Sequence, residues 1–418
     1  MTPTIDADLF SRAKAADASD ALGGYRAAFD LPADTIYLDG NSLGPLTHAA
    51  RDGVSATVDI EWGRGLVGSW NTADWISLAY RVGAMIAPLI GARPEDVICC
   101  DSTSINLYKV LGAALAKRPG RHRIVAERDN FPTDLYIADQ AAQRAGPAHH
   151  VQWLAPGQTI EAALDEDVAV LMLTHVDYRT GAMHDMAGLT RAAHAAGALV
   201  VWDLAHSAGA IDLDVAGCDV DFAIGCGYKY LNGGPGAPAF IYAAPVHQAD
   251  IEQPLTGWFA HAAPFDFSPG FESRAGIGAF LTGTPGILGM RCLEAALSIW
   301  RDVELSDIRD KSLALGALFV EAVATSDAAP MLALASPPEP SRRGSQVSFH
   351  HPAAHGVMQA LIADGVIGDM RAPDILRFGF APLYTRYIDV VRAADRLAAI
   401  VLEGRFESAI ASDGGVVT

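Results

Sequence analysis

Residues 199–236 read LVVWDLAHSAGAIDLDVAGCDVDFAIGCGYKYLNGGPG. Two apolar runs, Leu199-Val200-Val201-Trp202 and Phe222-Ala223-Ile224, each lead into polar residues: Asp203 and His206 after the first, Tyr228 and Lys229 after the second. Runs that are apolar on both faces are what a strand between two helix layers requires. A polar side chain just past such a strand lies where open α/β sheets present their ligands. The flanking chain extends the pattern. Further β-rich runs at Asp96 to Cys100, Arg123 to Ala126, Val168 to Leu173 and Ala239 to Tyr242 are separated by Ala-rich segments of helical period. This alternation predicts an α/β fold with a mainly parallel sheet covered by helices.

After about Gly286 the order of elements changes. Two long helical patterns, Ile287 to Val303 and Leu305 to Ala324, are followed by a Pro-rich turn at Ser336 to Ser341 and a strand-like Gln346 to His350. A helix, a strand at Ile375 to Phe380 and a last helix from Tyr387 to Glu403 complete what reads as a smaller α+β domain. The tail after Ser412 is expected to fray.

Composition narrows the function. The chain has 418 residues, half of them hydrophobic, enough for a substantial core. It carries 49 acidic residues against 30 Lys plus Arg, a net charge of −19, with no basic run, which argues against nucleic acid as a standing partner. Cys99, Cys100, Cys218, Cys226 and Cys292 form no CxxC pair and are odd in number, so neither a disulfide framework nor a zinc knuckle is expected, and the reading is a reducing cytoplasm. The first 24 residues are acidic throughout and lack an apolar core, so no signal peptide is expected. No stretch approaches the roughly 18 apolar residues of a membrane span. A small-molecule ligand is the expected partner, with no metal.

Lys229 follows an apolar strand and precedes the glycine turn Asn232-Gly233-Gly234-Pro235-Gly236. Such a lysine can be a partly desolvated amine suited to condensing with an aldehyde, or a snorkelling charge beside a structural turn. Asp203 would be costly to bury without a cation such as a pyridinium nitrogen, although an N-cap role for the next helix explains it too. Asp101-Ser102-Thr103-Ser104-Ile105-Asn106 sits between a strand and a helix pattern, as an anion site or a plain cap would. Phe131-Pro132-Thr133-Asp134 offers an aromatic that could stack on a ring, or serve as core.

Taken together, DGNSLGP (39–45), DSTSINL (101–107), FPTD (131–134), DLAHSAGA (203–210), GYKYLNGGPG (227–236), GWF (257–259), GTP (283–285) and RFGFAPLY (377–384) resemble the kynureninase family of pyridoxal phosphate enzymes. The resemblance covers most of the chain, in the family's order. It implies fold type I, similar to aspartate aminotransferase, with a seven-stranded, mainly parallel sheet. The implied organisation is an N-terminal segment (1–45), a large cofactor-binding domain (46–290) and a small C-terminal domain (291–418). It implies pyridoxal 5'-phosphate, a homodimer with shared active sites, and hydrolysis of L-kynurenine or its 3-hydroxy form to anthranilate or 3-hydroxyanthranilate and L-alanine. Tryptophan degradation or nicotinamide synthesis would be the setting.

Carried over by position, Lys229 would be the Schiff-base lysine and Asp203 the partner of the pyridine nitrogen. His206 would lie beside the ring and Phe131 on its face. Thr103, Ser104 and Tyr228 would contact phosphate, as would Trp258 and Thr284 from the second subunit; Asp134 and Thr174 match further cofactor-contacting positions. Arg377 would hold the substrate α-carboxylate, and Asn41, Ser42 and Trp62 would border its aromatic end. Tyr228 is the candidate proton relay. Gly286 departs from the second proline many relatives carry, leaving Thr284 in place.

Two rival chemistries fail on position. Gly40-Asn41-Ser42-Leu43-Gly44 fits the GxSxG pattern of serine hydrolases, but a nucleophile elbow follows several strands and only about forty residues precede Ser42. A cysteine desulfurase, which shares the Asp and Lys framework with aminotransferases, needs a mobile thiol. Cys226 lies on a buried strand and Cys292 in a helix pattern. A non-catalytic relative would be expected to have lost Lys229 or Asp203.

Overall fold

The computed structural model of the chain describes residues 4–155 and 157–409; the tail after Ser412 lies outside them. Seven strands form the main sheet, in the spatial order Val97–Cys100, Ala239–Ala243, Phe222–Cys226, Leu199–Asp203, Val168–Thr174, Arg123–Ala126 and His150–Trp153. Six run parallel; Ala239–Ala243 is antiparallel to both its neighbours. Every residue of the strands at 168–174, 199–203, 222–226 and 239–243 is buried, as expected for a sheet with helices on both faces.

The sequence pattern missed the strand His150–Trp153. It is the sheet's edge, exposed or half-buried along its length, so it lacks the continuous apolar signature of its neighbours.

Local chemistry fixes where helices begin. Ser102 caps the helix Thr103–Ala116, its side chain accepting from the Ile105 amide. Pro132 opens the helix Pro132–Ala145, where an absent N–H costs nothing. Arg386 and Asp389 form a reciprocal cap at the start of Tyr387–Glu403, which Gly404 ends in the left-handed conformation at φ 66°. Leu305–Ala324 is helical throughout, as its periodicity predicts. The pattern expected over 287–303 is α-helical only to Leu297; the chain then tightens into a 3₁₀ turn over Ser298–Asp302, with the Trp300 side chain buried.

A second core lies in the C-terminal part. The antiparallel sheet there has the order Asp369–Arg371, Ile375–Gly379, Gln346–His350, Ala333–Leu334. Phe319 of the Leu305–Ala324 helix meets Phe349, Phe378 and Phe380 at ring separations of 5.9, 4.9 and 5.5 Å. Ile5, just ahead of the N-terminal helix Ala7–Ala18, and Leu9 and Ala13 within it join this core. Ile36–Tyr37 pairs in parallel with Val366–Ile367, and Asp39 bridges to Gly379. The turn after Tyr37 is thereby delivered to the junction between the two cores.

Candidate active site

A cavity of about 230 Å³ opens at that junction. The C-terminal ends of the parallel strands supply its floor: Asp203 is the last residue of Leu199–Asp203, Thr174 the last of Val168–Thr174, and the two are register partners. Thr103 and Ser104 come from the first turn of a helix, Phe131 and Asp134 from the start of another, and Tyr228 and Lys229 from the turn after Phe222–Cys226. Asn41 and Ser42 enter from the N-terminal turn, and Arg371 and Arg377 from the small sheet.

Close backbone approach holds this assembly. The Gly44 amide donates to the Tyr228 carbonyl at 2.7 Å, and a Cβ on Gly44 would stand 2.3 Å from the Lys229 carbonyl oxygen. A side chain there would push the N-terminal turn off the lysine segment. Gly379 is equally constrained, since a Cβ would fall 2.0 Å from Asn41 Oδ1.

The amine of Lys229 lies 2.9 Å from Nε2 of His206. Burial, then the nearby Lys229 charge, push His206 well below the ordinary histidine range, so the ring is neutral. With the lysine donating, Nε2 is the acceptor and Nδ1 carries the proton. Nδ1 is buried without a partner among the described residues. Asp203 accepts from the Ala205 amide at 2.7 Å, but the chain runs on into turns and not a helix, so the helix N-cap role weighed from sequence is not what places it there.

Asp134 accepts from Asn130 Nδ2 and from Thr174 Oγ1, each at 3.2 Å, and lies beside Asp203 in the same cavity. Burial pushes both carboxyls up, and Asp203 raises Asp134 further. A cation placed beside Asp203 would favour its ionised form. Burial also keeps the Tyr228 phenol protonated.

Phe131 is 45% exposed and meets Tyr178 edge to face at 5.3 Å, leaving a ring face available at the cavity mouth. Hydroxyls at a helix N-terminus, a buried carboxylate and a lysine amine line one cavity, a set that suits an aromatic ring bearing a phosphate and a basic nitrogen.

Arg377, which also lines the cavity, is almost wholly buried. Its Nε donates to Asp369 Oδ1 at 2.7 Å, Nη2 donates to Asp369 Oδ2 and to Ser42 Oγ (2.7 Å), and Nη1 donates to the Tyr178 carbonyl at 2.6 Å. Ser42 Oγ in turn donates to Asp369 Oδ2 at 2.9 Å. Asn41 Nδ2 donates to Gln346 Oε1 at 3.2 Å.

Twelve of the residues singled out from sequence thus meet in one cavity. Trp62, Trp258 and Thr284 do not line it; all three are exposed. Sequence reasoning missed Thr133, Tyr178, Ala205 and Arg371, which also form its walls. Thr133 and Ala205 lie inside quoted motifs, whereas Tyr178 and Arg371 sit on short irregular stretches with no periodic signal.

The five thiols are unpaired, and burial raises all of them above the ordinary cysteine range. Cys226 contacts the Ala205 carbonyl at 3.8 Å inside the sheet. None offers the accessible thiolate that sulfur transfer from cysteine requires. Among the described residues, no helix is long and apolar enough to cross a membrane.

Comparison with known proteins yields one consistent set of relatives. Residues 308–397 match the Kynureninase C-terminal domain family. A kynureninase of Burkholderia mallei (strain SAVP1) is 49% identical over 393 residues, covering 93% of this chain and 94% of its own. One from Pseudomonas fluorescens is 47% identical over 391 residues, with coverage of 93% and 94%. Among solved structures, the cysteine desulfurase CsdA of Escherichia coli superposes with a TM-score of 0.75 at 20% identity, covering 91% of this chain and 98% of its own. A mutant of C-DES with glycine covalently linked to its PLP cofactor gives 0.77 at 18% identity, covering 88% and 99%. At such identities the structural likeness speaks for the fold alone.

Proposed function

The chain belongs to the kynureninase family, and on that premise we propose that its cavity binds pyridoxal 5'-phosphate and hydrolyses L-kynurenine, or its 3-hydroxy form, to anthranilate or 3-hydroxyanthranilate and L-alanine. The observation that carries this reading is the convergence of the Lys229 amine, neutral His206 and buried Asp203 on one cavity that two arginines also line.

Thr103, Ser104 and Tyr228 are suited to the phosphate, and Phe131 and His206 to the ring. Asp134 and Thr174 support Asp203 at the ring nitrogen. Bound there, the cofactor supplies an electron sink that makes a Cα proton acidic and allows charge to be held beside Cβ.

The protein's own groups do the rest. Asp203, as a carboxylate, keeps the ring nitrogen protonated. Lys229 would hold the cofactor's aldehyde carbon and, as a free amine, would serve as the base for the substrate Cα proton, with His206 at 2.9 Å orienting it. Arg377 fixes the substrate's carboxylate end, and Asn41 and Ser42 border its aromatic end. Tyr228 remains a phenol through neutral pH, so it can donate to the aryl ketone oxygen as water adds and, as phenolate, take the proton that the water loses; when the Cβ–Cγ bond opens, the proton shed by the gem-diol is matched by the one that Cβ takes up.

The same reading assigns Trp258, Thr284 and Trp62 to the composite site of a homodimer, in which Trp258 and Thr284 of one subunit complete the phosphate site of the other. Their positions outside the chain's own cavity support this. The working unit is then an N-terminal segment to residue 45, a cofactor-binding domain over 46–290 and a small domain from 291, acting in the cytoplasm in tryptophan degradation.

The test is to add pyridoxal phosphate and kynurenine to purified protein, follow anthranilate fluorescence and identify the amino acid released. L-Alanine is expected. Kynurenine left intact under cofactor saturation, or any other amino acid, overturns the reading.

A further inference from the structure

We infer that Arg371 is a second substrate-binding cation, sharing the α-carboxylate with Arg377 and set in place by the buried carboxylate of Asp369. The inference rests on the kynurenine reading of the cavity and adds to it a residue that no motif marked.

The argument begins with how occupied Arg377 is. A guanidinium has five N–H donors. Arg377 spends two on Asp369, one on Ser42 and one on the Tyr178 carbonyl, leaving a single Nη1 N–H. Its side chain is 1% exposed. A carboxylate arriving from the cavity cannot take the paired contact that makes arginine effective for such groups unless Ser42 or the Tyr178 carbonyl gives way.

Arg371 lacks these commitments. Its side chain is 30% exposed and lines the same cavity. Nη2 forms an ion pair with Asp369 Oδ2 at 2.8 Å, and Nη1 donates once, to the Met370 carbonyl at 2.9 Å. Nε has no partner among the described residues. Both terminal nitrogens therefore keep an N–H available.

Strand geometry explains the placement. Asp369 and Arg371 are two apart on Asp369–Arg371 and so share a face. Asp369 is the direct cross-strand partner of Arg377, which puts all three on that face. One fully buried carboxylate thus anchors two arginines, one closed off and one open to the cavity. The other acid of the cluster, Asp39, is held by burial, then by Asp369, up to about 7, and contributes little fixed negative charge below neutrality. The wall therefore carries an excess of positive charge that an incoming carboxylate would balance.

The experiment compares wild type, Arg371→Ala, Arg371→Gln and Arg371→Lys as cofactor-loaded enzymes. KM and kcat are measured for kynurenine, and binding is measured for an analogue in which the α-carboxylate is replaced by hydrogen. Loss of a charge-assisted contact should raise KM about 10- to 100-fold in the Ala and Gln variants, with kcat changed far less and partial recovery in the Lys variant. The analogue should bind all four proteins alike. Unchanged KM in the Ala and Gln variants overturns the inference. So does equal weakening toward kynurenine and the analogue, which would make Arg371 a support for pocket shape only. Because Asp369 keeps its paired contact with Arg377, the variants are expected to fold; if Ala does not, Gln decides. A wild-type protein inactive on kynurenine would instead sink the functional reading itself.

Discussion

Lys229 Nζ stands 2.9 Å from His206 Nε2, so the lysine amine in the cavity is held by a ring that burial keeps neutral. A neutral acceptor positions the amine without adding a second positive charge. The amine comes from the turn after one strand and the ring from the turn after its neighbour, so a one-residue shift in either strand would separate them.

Removing that amine gives the first prediction. Lys229→Ala should lose the visible absorbance that the wild type acquires with pyridoxal phosphate, and borohydride should then fix no cofactor to the chain. Turnover should fall to background. A variant that keeps an undiminished visible band near neutral pH refutes the assignment of Lys229.

The second concerns charge rather than shape at Asp203. Asn at this position can still accept from the Ala205 amide, which Asp203 now does at 2.7 Å, but it cannot stay anionic beside a ring nitrogen. Asp203→Asn is expected to fold and to lower kcat by at least about 100-fold, in the range seen when a single electrostatic stabiliser is removed. Cofactor titration and steady-state kinetics read the two effects separately. A kcat within a few-fold of wild type would leave Asp203 as a turn residue and nothing more.

How much of this was open to sequence reading depends on how far each signal is local. Asp203 and Lys229 stand out because each interrupts an otherwise apolar context, and the buried strands before them fix which edge of the sheet they reach. The helices Leu305–Ala324 and Tyr387–Glu403 are legible because their periodicity is long and their ends are marked. Asp134 is different. Nothing in Phe131-Pro132-Thr133-Asp134 says that this acid will be buried against Asp203 some seventy residues on; only the family resemblance pointed to it. Arg371 is harder still, lying on a strand of three residues whose meaning comes from its cross-strand neighbour. His150–Trp153 was missed because an exposed edge strand has no apolar run to betray it.

Away from the cavity, Asp221 gives a prediction about acid stability. It is buried at the start of the Phe222–Cys226 strand, accepting from His247 Nε2 at 2.6 Å, His194 Nε2 at 2.8 Å and the Val200 amide at 2.8 Å. Burial by itself would push its carboxyl up. The bonds from His247, His194 and Val200 outweigh that and hold it below the usual aspartate range. A depressed folded value means the contribution to stability is present above the unfolded value of about 3.9 and disappears as pH falls through the folded one. Asp221→Asn should therefore cost about 1–3 kcal/mol near neutral pH, and the difference from wild type should shrink toward pH 3. Urea unfolding across that range checks it; a pH-independent difference would mean that the charge is irrelevant.

Asp39 runs the other way. Its carboxyl is buried beneath the N-terminal turn, with Oδ1 lacking a partner among the described residues. Burial first, then the neighbouring Asp369, raise it to about 7 despite the opposing pull of Ser42 and the two arginines. A carboxyl whose folded value exceeds its unfolded value of about 3.9 prefers to be protonated in the fold. The contribution of Asp39 to stability is then greatest below about pH 4, declines as pH rises through the interval up to about 7, and levels off above it. Asparagine carries no charge to desolvate, so Asp39→Asn should be neutral or slightly destabilising at pH 4 and more stable than wild type at pH 8. The backbone turn should survive, because the Ser42 and Leu43 amides donate to the Asp39 carbonyl oxygen and not to its side chain. Chemical unfolding of both proteins at the two pH values decides the matter. If the variant is the less stable one by the same margin at both, the ionised carboxylate of Asp39 is being compensated by Arg371 and Arg377 more fully than the buried geometry implies.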